Sequence, residues 1–352
     1  MDSGTMQDFL MGKTILVTGA TGFLAKVFVE KILRIQPEVQ KMYLLLRASN
    51  IELAEERLQN EVFEIDLFRV LRERLGENFS SFISKKVVTI AGDVAMENLG
   101  IKDEKLKYEI FEEIDFLVHF AACTKFNERF DILMDVNTKG ALHALNIAKN
   151  CKRLKAFVHI STAYVCGDAK DGHGILQEKP FEMGQSLKED FKLDIHKEMD
   201  LIERKLAELQ AMNVDENATK FAMKDYGMER TMDSFIYSYG KGKLKSFIGN
   251  PNTILDAIPA DMVINCVIAA IYFHSNEPPK NFIYHISSSL RNPIKCSDLS
   301  NICYHYFMKS PCINQNGKPI DISKGLYVVN SFAAFNIYMI IRYVLLLQVC
   351  LY

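Results

Sequence analysis

KTILVTGATGFLAKVFVEKIL, residues 13–33, decides the fold. Its opening TILV (14–17) is a short, apolar, partly β-branched run that reads as a buried parallel strand. The next eight residues, TGATGFLA, turn the chain into a helix whose predicted apolar face is Phe23, Leu24, Val27, Phe28, Ile32 and Leu33. Gly19 permits the tight turn. Gly22 lets backbone N–H groups approach a pyrophosphate at the helix N-terminus. Ala25 is small enough for close helix–strand packing. The competing reading is a glycine-containing strand–helix turn with no ligand. The unbroken order of strand, T-G-x-x-G-F-x-A and amphipathic helix favours a nucleotide, with contacts predicted at Gly19, Thr21, Gly22, Phe23 and Leu24.

The same alternation continues outward. YLLL (43–46) reads as a second buried strand ending at Arg47, VVTI (87–90) as a third, FLVHFAA (116–122) as a fourth and FVHIS (157–161) as a fifth. Between them lie a charged helical region over 51–84 and a helix opened by DVNTKG (135–140). Strands alternating with helices predict an α/β fold, a Rossmann-type doubly wound parallel sheet. Further on, 168–185 reads as an irregular loop and 187–226 as amphipathic helix. Asp261 is predicted to cap the helix from Met262, and NFIYHI (281–286) reads as another strand. The expected domains are a nucleotide-binding domain with substrate-binding insertions over 1–290 and a smaller C-terminal region over 291–352.

Bulk properties narrow the function. Across 352 residues the formal charge is −2, which gives no electrostatic case for nucleic acid. Eight scattered cysteines without a C-x-x-C pair read as reduced thiols of a cytosol-facing protein. No His, Cys or Asp cluster has metal-site spacing, and the first residues carry no secretory pattern. The apolar stretch 332–352 has the length of a membrane span. Asn336, Arg342 and Gln348 interrupt it, so it reads as a core helix or an interfacial segment with peripheral membrane association.

Several side chains carry candidate chemistry. Arg47 stands where nicotinamide folds that prefer NAD place an acid for the ribose 2′-hydroxyl. A guanidinium suits a 2′-phosphate and favours NADPH; the competing reading is a solvated arginine after a strand. Asp93 either accepts a hydrogen bond from adenine or simply forms a turn. Ala121, near the end of the fourth strand, allows close approach of a ligand. Thr162 follows the fifth strand, where its hydroxyl can orient a substrate carbonyl. His119 and His159 read as satisfied core histidines.

TGATGFLAK, YLLLRA, AGDV, VHFAACTKFNERFD, DVNTKGA, HISTAYVCG, EKPF and YGKGKL with PADMV together resemble the plant alcohol-forming fatty acyl-CoA reductases, which are extended short-chain dehydrogenases. The resemblance implies NADPH-dependent reduction of a fatty acyl-CoA, through an aldehyde, to a primary alcohol. It also implies association with the endoplasmic reticulum and a role in wax or suberin lipids. Such chemistry uses a Tyr as proton donor, a Lys one helical turn later and a Ser or Thr that orients the carbonyl; Thr162 matches the last.

The chain departs from the pattern after Arg230. In the family a helix carrying Tyr-x-x-x-Lys, a strand and a proline-containing loop intervene before the YGKG segment. Here ER (229–230) runs almost directly into IYSYGKGK (236–243). Tyr237 with Lys241, and Tyr239 with Lys243, satisfy the bare spacing, but Gly240 and Gly242 disfavour the helix that would put each pair on one face. The family also continues into a longer helical C-terminal domain. These departures predict a shortened paralogue, splice form or gene model of reduced competence. The alternatives are a non-catalytic protein that binds nucleotide or a partner reductase, and a dehydrogenase acting on another lipid.

Overall fold

The computed structural model describes residues 8–125, 128–162, 194–227, 246–248, 250–278, 280–314, 317–321, 327–329 and 331–341, and residues 178, 180, 182 and 184. Five parallel strands form one sheet: β1 (Thr14–Thr18), β2 (Lys41–Arg47), β3 (Val87–Gly92), β4 (Phe116–His119) and β5 (Ala156–His159), in the order β3-β2-β1-β4-β5. The order reverses between β1 and β4. In open α/β sheets the ligand crevice lies at that switch, outside the carboxyl ends of the strands.

Strand alternation builds a core on each side of the sheet. Ile15, Val17, Met42, Leu44 and Leu46 face one way and pack with Phe28 and Ile32 of α1 (Phe23–Ile35). Ile264, Val267, Ile268 and Ile271 of the helix Ala260–His274 join that core. Leu16, Tyr43 and Leu45 face the other way. They meet Ile110 of the helix Glu104–Glu113 and Ala144, Ile147 and Ala148 of the helix Gly140–Asn150. β1 is fully buried along its length, as its continuous apolar run requires.

The charged region after β2 is broken rather than continuous. It comprises α2 (Ile51–Leu58), a π turn (Gln59–Phe63) and two further short helices, Arg69–Leu75 and Phe79–Lys86. A helical hairpin, Ile195–Ala211 and Glu216–Gly227, buries Ile202, Leu209 and Met223.

The chain divides into two units, Met1–Met228 with Pro259–His285, and Glu229–Ile258 with Ile286–Tyr352. In the second unit Ser246–Ile248 pairs in parallel with Tyr327–Val329, and Ile254–Leu255 pairs antiparallel with Ile294–Lys295. Asp256 there accepts hydrogen bonds from Ser287 Oγ and the Ser288 N–H. Among the described residues, no helix is long and apolar enough to cross a membrane; residues 342–352 of the apolar tail lie outside them.

Four expectations are corrected. Phe23 is 70 % exposed rather than part of the apolar face of α1, because it occupies the first turn, above the sheet edge. Asp261 sits inside the first turn of its helix. Pro259 is the N-cap, and its carbonyl accepts from the N–H groups of Met262 and Val263. NFIYHI is not a strand. Its Phe282 ring stacks on His274 at 3.7 Å and its Tyr284 hydroxyl pairs with the same imidazole, so side-chain contacts rather than a ladder organise it. β4 stops at His119, because residues 120–122 bend to meet the glycine turn.

Candidate functional site

At the switch point the Gly19 turn is seated against the chain leaving β4. Gly19 has φ 69°, and a Cβ placed there would lie 2.7 Å from both the N and the Cα of Ala121. That separation is forbidden to a real side chain, so the protein's own backbone demands glycine. Gly22 is different. Its φ is −74°, and the contact a Cβ would meet is the Gly19 carbonyl oxygen at 3.0 Å. Its N–H donates to that oxygen at 2.8 Å. Gly22 is the N-cap of α1, without a side-chain cap and without an acid in the first turn. The first-turn N–H groups, which have no intrahelical acceptor, are thus open to an anion. This uncapped N-terminus at the carboxyl edge of the sheet fits a dinucleotide pyrophosphate.

Thr18 and His119 tie the two strands together beneath this turn. His119 Nδ1 and Thr18 Oγ1 are 2.8 Å apart, and the Ala121 N–H donates to the same hydroxyl at 3.4 Å. His119 is fully buried and its Nε2 has no hydrogen-bond partner, so it is a half-satisfied core histidine. Burial, helped by the neighbouring His159, pushes its pKa down to about 4, which keeps the imidazole neutral at physiological pH. His159 stacks on it at 5.1 Å but is itself exposed, contrary to its expected place in the core.

The other predicted residues lie along the same edge. Arg47 ends β2 and is exposed. Asp93 follows β3; its Oδ1 accepts from the Ala95 N–H at 3.0 Å and its N–H donates to the Leu99 carbonyl, the turn-forming arrangement. Ala121 lies against Gly19. Thr21 and Leu24 are half-buried, and Thr162 is exposed beyond β5. Tyr237, Lys241, Tyr239 and Lys243 lie outside the described residues. Among the described residues β5 pairs with β4 alone.

One residue at this edge escaped sequence reasoning. Asn137, in a π turn (Met134–Lys139), accepts from the Cys123 N–H at 2.7 Å and donates to the Cys123 carbonyl at 3.1 Å. It pairs with that backbone as a neighbouring strand would, and so fixes the segment leaving β4. The DVNTKG motif was its available signal, but it read only as a helix start.

Comparison with known proteins settles the kinship. The profile of the NAD-binding family described as "Male sterility protein" matches residues 17–228. Fatty acyl-CoA reductase 1 of Arabidopsis thaliana is 42% identical over 404 residues, covering 99% of this chain and 81% of the relative. The chain belongs to the fatty acyl-CoA reductase family. The alcohol-forming fatty acyl-CoA reductase of Simmondsia chinensis is 41% identical over 403 residues, with the same coverage. A solved reductase domain of a Mycobacterium tuberculosis non-ribosomal peptide synthetase shares the fold. Its TM-score is 0.57 at 18% identity, covering 96% of this chain and 79% of that one. These matches give the chain the NAD-binding domain of its family over residues 17–228, on a fold shared with that reductase domain. An alignment of 404 residues against a chain of 352 leaves at least 52 residues of the Arabidopsis relative opposite gaps. This family member is shortened internally.

Proposed function

We propose that this chain is built as an NADPH-dependent fatty acyl-CoA reductase, with its nucleotide half intact and its proton-donating half lost. The observation that carries the proposal is the kinship across 99% of the chain, joined to a site whose glycine turn, uncapped helix and Arg47 fit a 2′-phosphorylated dinucleotide. When bound, NADPH would supply the hydride for the two reductions from thioester to aldehyde and from aldehyde to alcohol. The chain's own residues have simpler tasks. The first turn of α1 binds the pyrophosphate, Arg47 selects the 2′-phosphate, and Thr162 orients the substrate carbonyl.

The proton for the developing alkoxide needs a Tyr whose pKa is lowered by a Lys on the same helical face. We place the internal gap between Arg230 and Tyr237. The family profile match ends at residue 228, which supports that position. The deletion also favours a second reading, a nucleotide-binding form without catalysis. The test is a graft. The segment that the Arabidopsis relative carries at this point is inserted after Arg230, and products from NADPH and a long-chain acyl-CoA are resolved by gas chromatography. Alcohol from the graft but not from the original chain supports both the reductase reading and the position of the loss. If neither forms alcohol while both bind NADPH, the non-catalytic reading stands.

A further inference from the structure

Arg57, two turns into the helix after β2, lies beside the residue that selects the cofactor. Its Nη1 donates to the main-chain carbonyl of Arg47 at 2.7 Å. Its Nε and Nη2 hold the Glu61 carboxylate in a fork, at 2.6 and 3.0 Å. A guanidinium has five N–H donors, and these contacts use three. The pair is solvent-accessible, with side-chain exposures of 35% for Arg57 and 43% for Glu61. Lys26 of α1 also reaches this corner and donates to the Glu61 carbonyl at 3.3 Å.

Two cations, Lys26 and Arg57, thus stand by Glu61, and Arg47 ends β2 where Arg57 meets its carbonyl. Glu52, Glu55 and Glu56 of the same helix point about 100° or more away from Arg57 around the axis. Arg47 adds a further positive residue at the same strand end. A phosphate monoester carries close to two negative charges near neutral pH. The π turn at Gln59–Phe63 sets Glu61, so that Arg57 is held in place before a ligand arrives.

We propose that Arg57 is a second 2′-phosphate ligand, pre-oriented by Glu61 and the Arg47 carbonyl, and that Arg47 and Arg57 together set the preference for NADPH. This rests on the NADPH reading above. It adds a residue that the strand-end pattern alone does not indicate. Arginine rather than lysine is required, because the same planar group must serve the carbonyl, the carboxylate and the phosphate at once.

The test compares adenosine 2′,5′-bisphosphate with 5′-AMP by titration calorimetry on the full chain. The two differ only in the 2′-phosphate. Arg57→Gln is expected to weaken the bisphosphate about tenfold or more and leave 5′-AMP unchanged. Arg57→Lys is expected to fall between Arg57→Gln and the original chain. Equal losses for both ligands in the two variants, or no loss for either, would overturn the assignment. If Arg47→Gln loses discrimination while Arg57→Gln keeps it, this inference fails and the NADPH reading survives. An original chain that binds both ligands equally refutes the NADPH reading itself.

Discussion

Gly19→Ala tests whether the turn is dictated by the protein or by its ligand. At φ 69° an alanine pays the left-handed penalty of ~1–2 kcal/mol. Its Cβ would also sit 2.7 Å from two backbone atoms of Ala121 and 3.0 Å from the carbonyl carbon of Phe120. Backbone cannot rotate aside as a side chain can, so β1 and the exit from β4 must separate, at an overpacking cost of ~1–3 kcal/mol. Together these give roughly 2–5 kcal/mol. In a domain of this size that lowers Tm by roughly 5–15 °C. Gly22→Ala carries no left-handed penalty, since φ is already −74°, and its single tight contact is the Gly19 carbonyl oxygen at 3.0 Å. Its Tm should fall less than that of Gly19→Ala, by no more than about 4 °C, while NADPH affinity falls about tenfold because a methyl is added at the helix N-terminus that the pyrophosphate would approach. Thermal unfolding with and without NADPH reads both effects. A Gly19→Ala protein of unchanged Tm, or a Gly22→Ala protein with full NADPH affinity, would refute the division of roles.

Other substitutions probe the rest of the edge. Arg47→Glu should weaken NADPH binding and spare or improve NADH; the two dissociation constants measured on one preparation decide it. His119 gives a pH signature. Its folded pKa of about 4 lies below the ordinary 6.5, so the unfolded chain takes up the proton first. Stability is then full above the unfolded value and falls by about 2 kcal/mol between pH 7 and pH 5. His119→Asn should flatten that window in urea-melt midpoints, and an unchanged slope would remove the buried neutral imidazole from the account. Asn137→Ala frees the backbone at Cys123. It should weaken NADPH several-fold and lower Tm by a few degrees, as differential scanning fluorimetry would report.

The first three strands are legible because they are apolar runs ended at Gly19, Arg47 and Asp93. β1 through β3 and the glycine turn follow from local pattern alone. β4 was read three residues too long, since FAA is apolar enough for a strand and only the seat of Gly19 on Ala121 bends it away. The site's nucleotide side was equally local, as Gly19 and Arg47 sit at strand ends and Gly22 caps the helix that follows. Asn137 and Arg57 were not legible. Each acts through a backbone carbonyl, 14 residues distant for Asn137 and 10 for Arg57, and no spacing rule anticipates such contacts. His159 looked like its neighbour His119 in sequence, yet β5 has a partner on one side only among the described residues. Its final side chain is therefore exposed while that of β4 is buried.

The most direct measurement is turnover by the purified chain itself. NADPH binding is recorded by calorimetry, and fatty alcohol formed from NADPH and a long-chain acyl-CoA is quantified in the same preparation. The account predicts that nucleotide binds and that alcohol is reduced by about 10²–10⁴-fold relative to the alcohol-forming Simmondsia relative, the contribution of a lost general acid. Alcohol formed at the relative's rate, and lost in Tyr237→Phe or Tyr239→Phe, would contradict it, because a proton donor would then be present in the shortened segment.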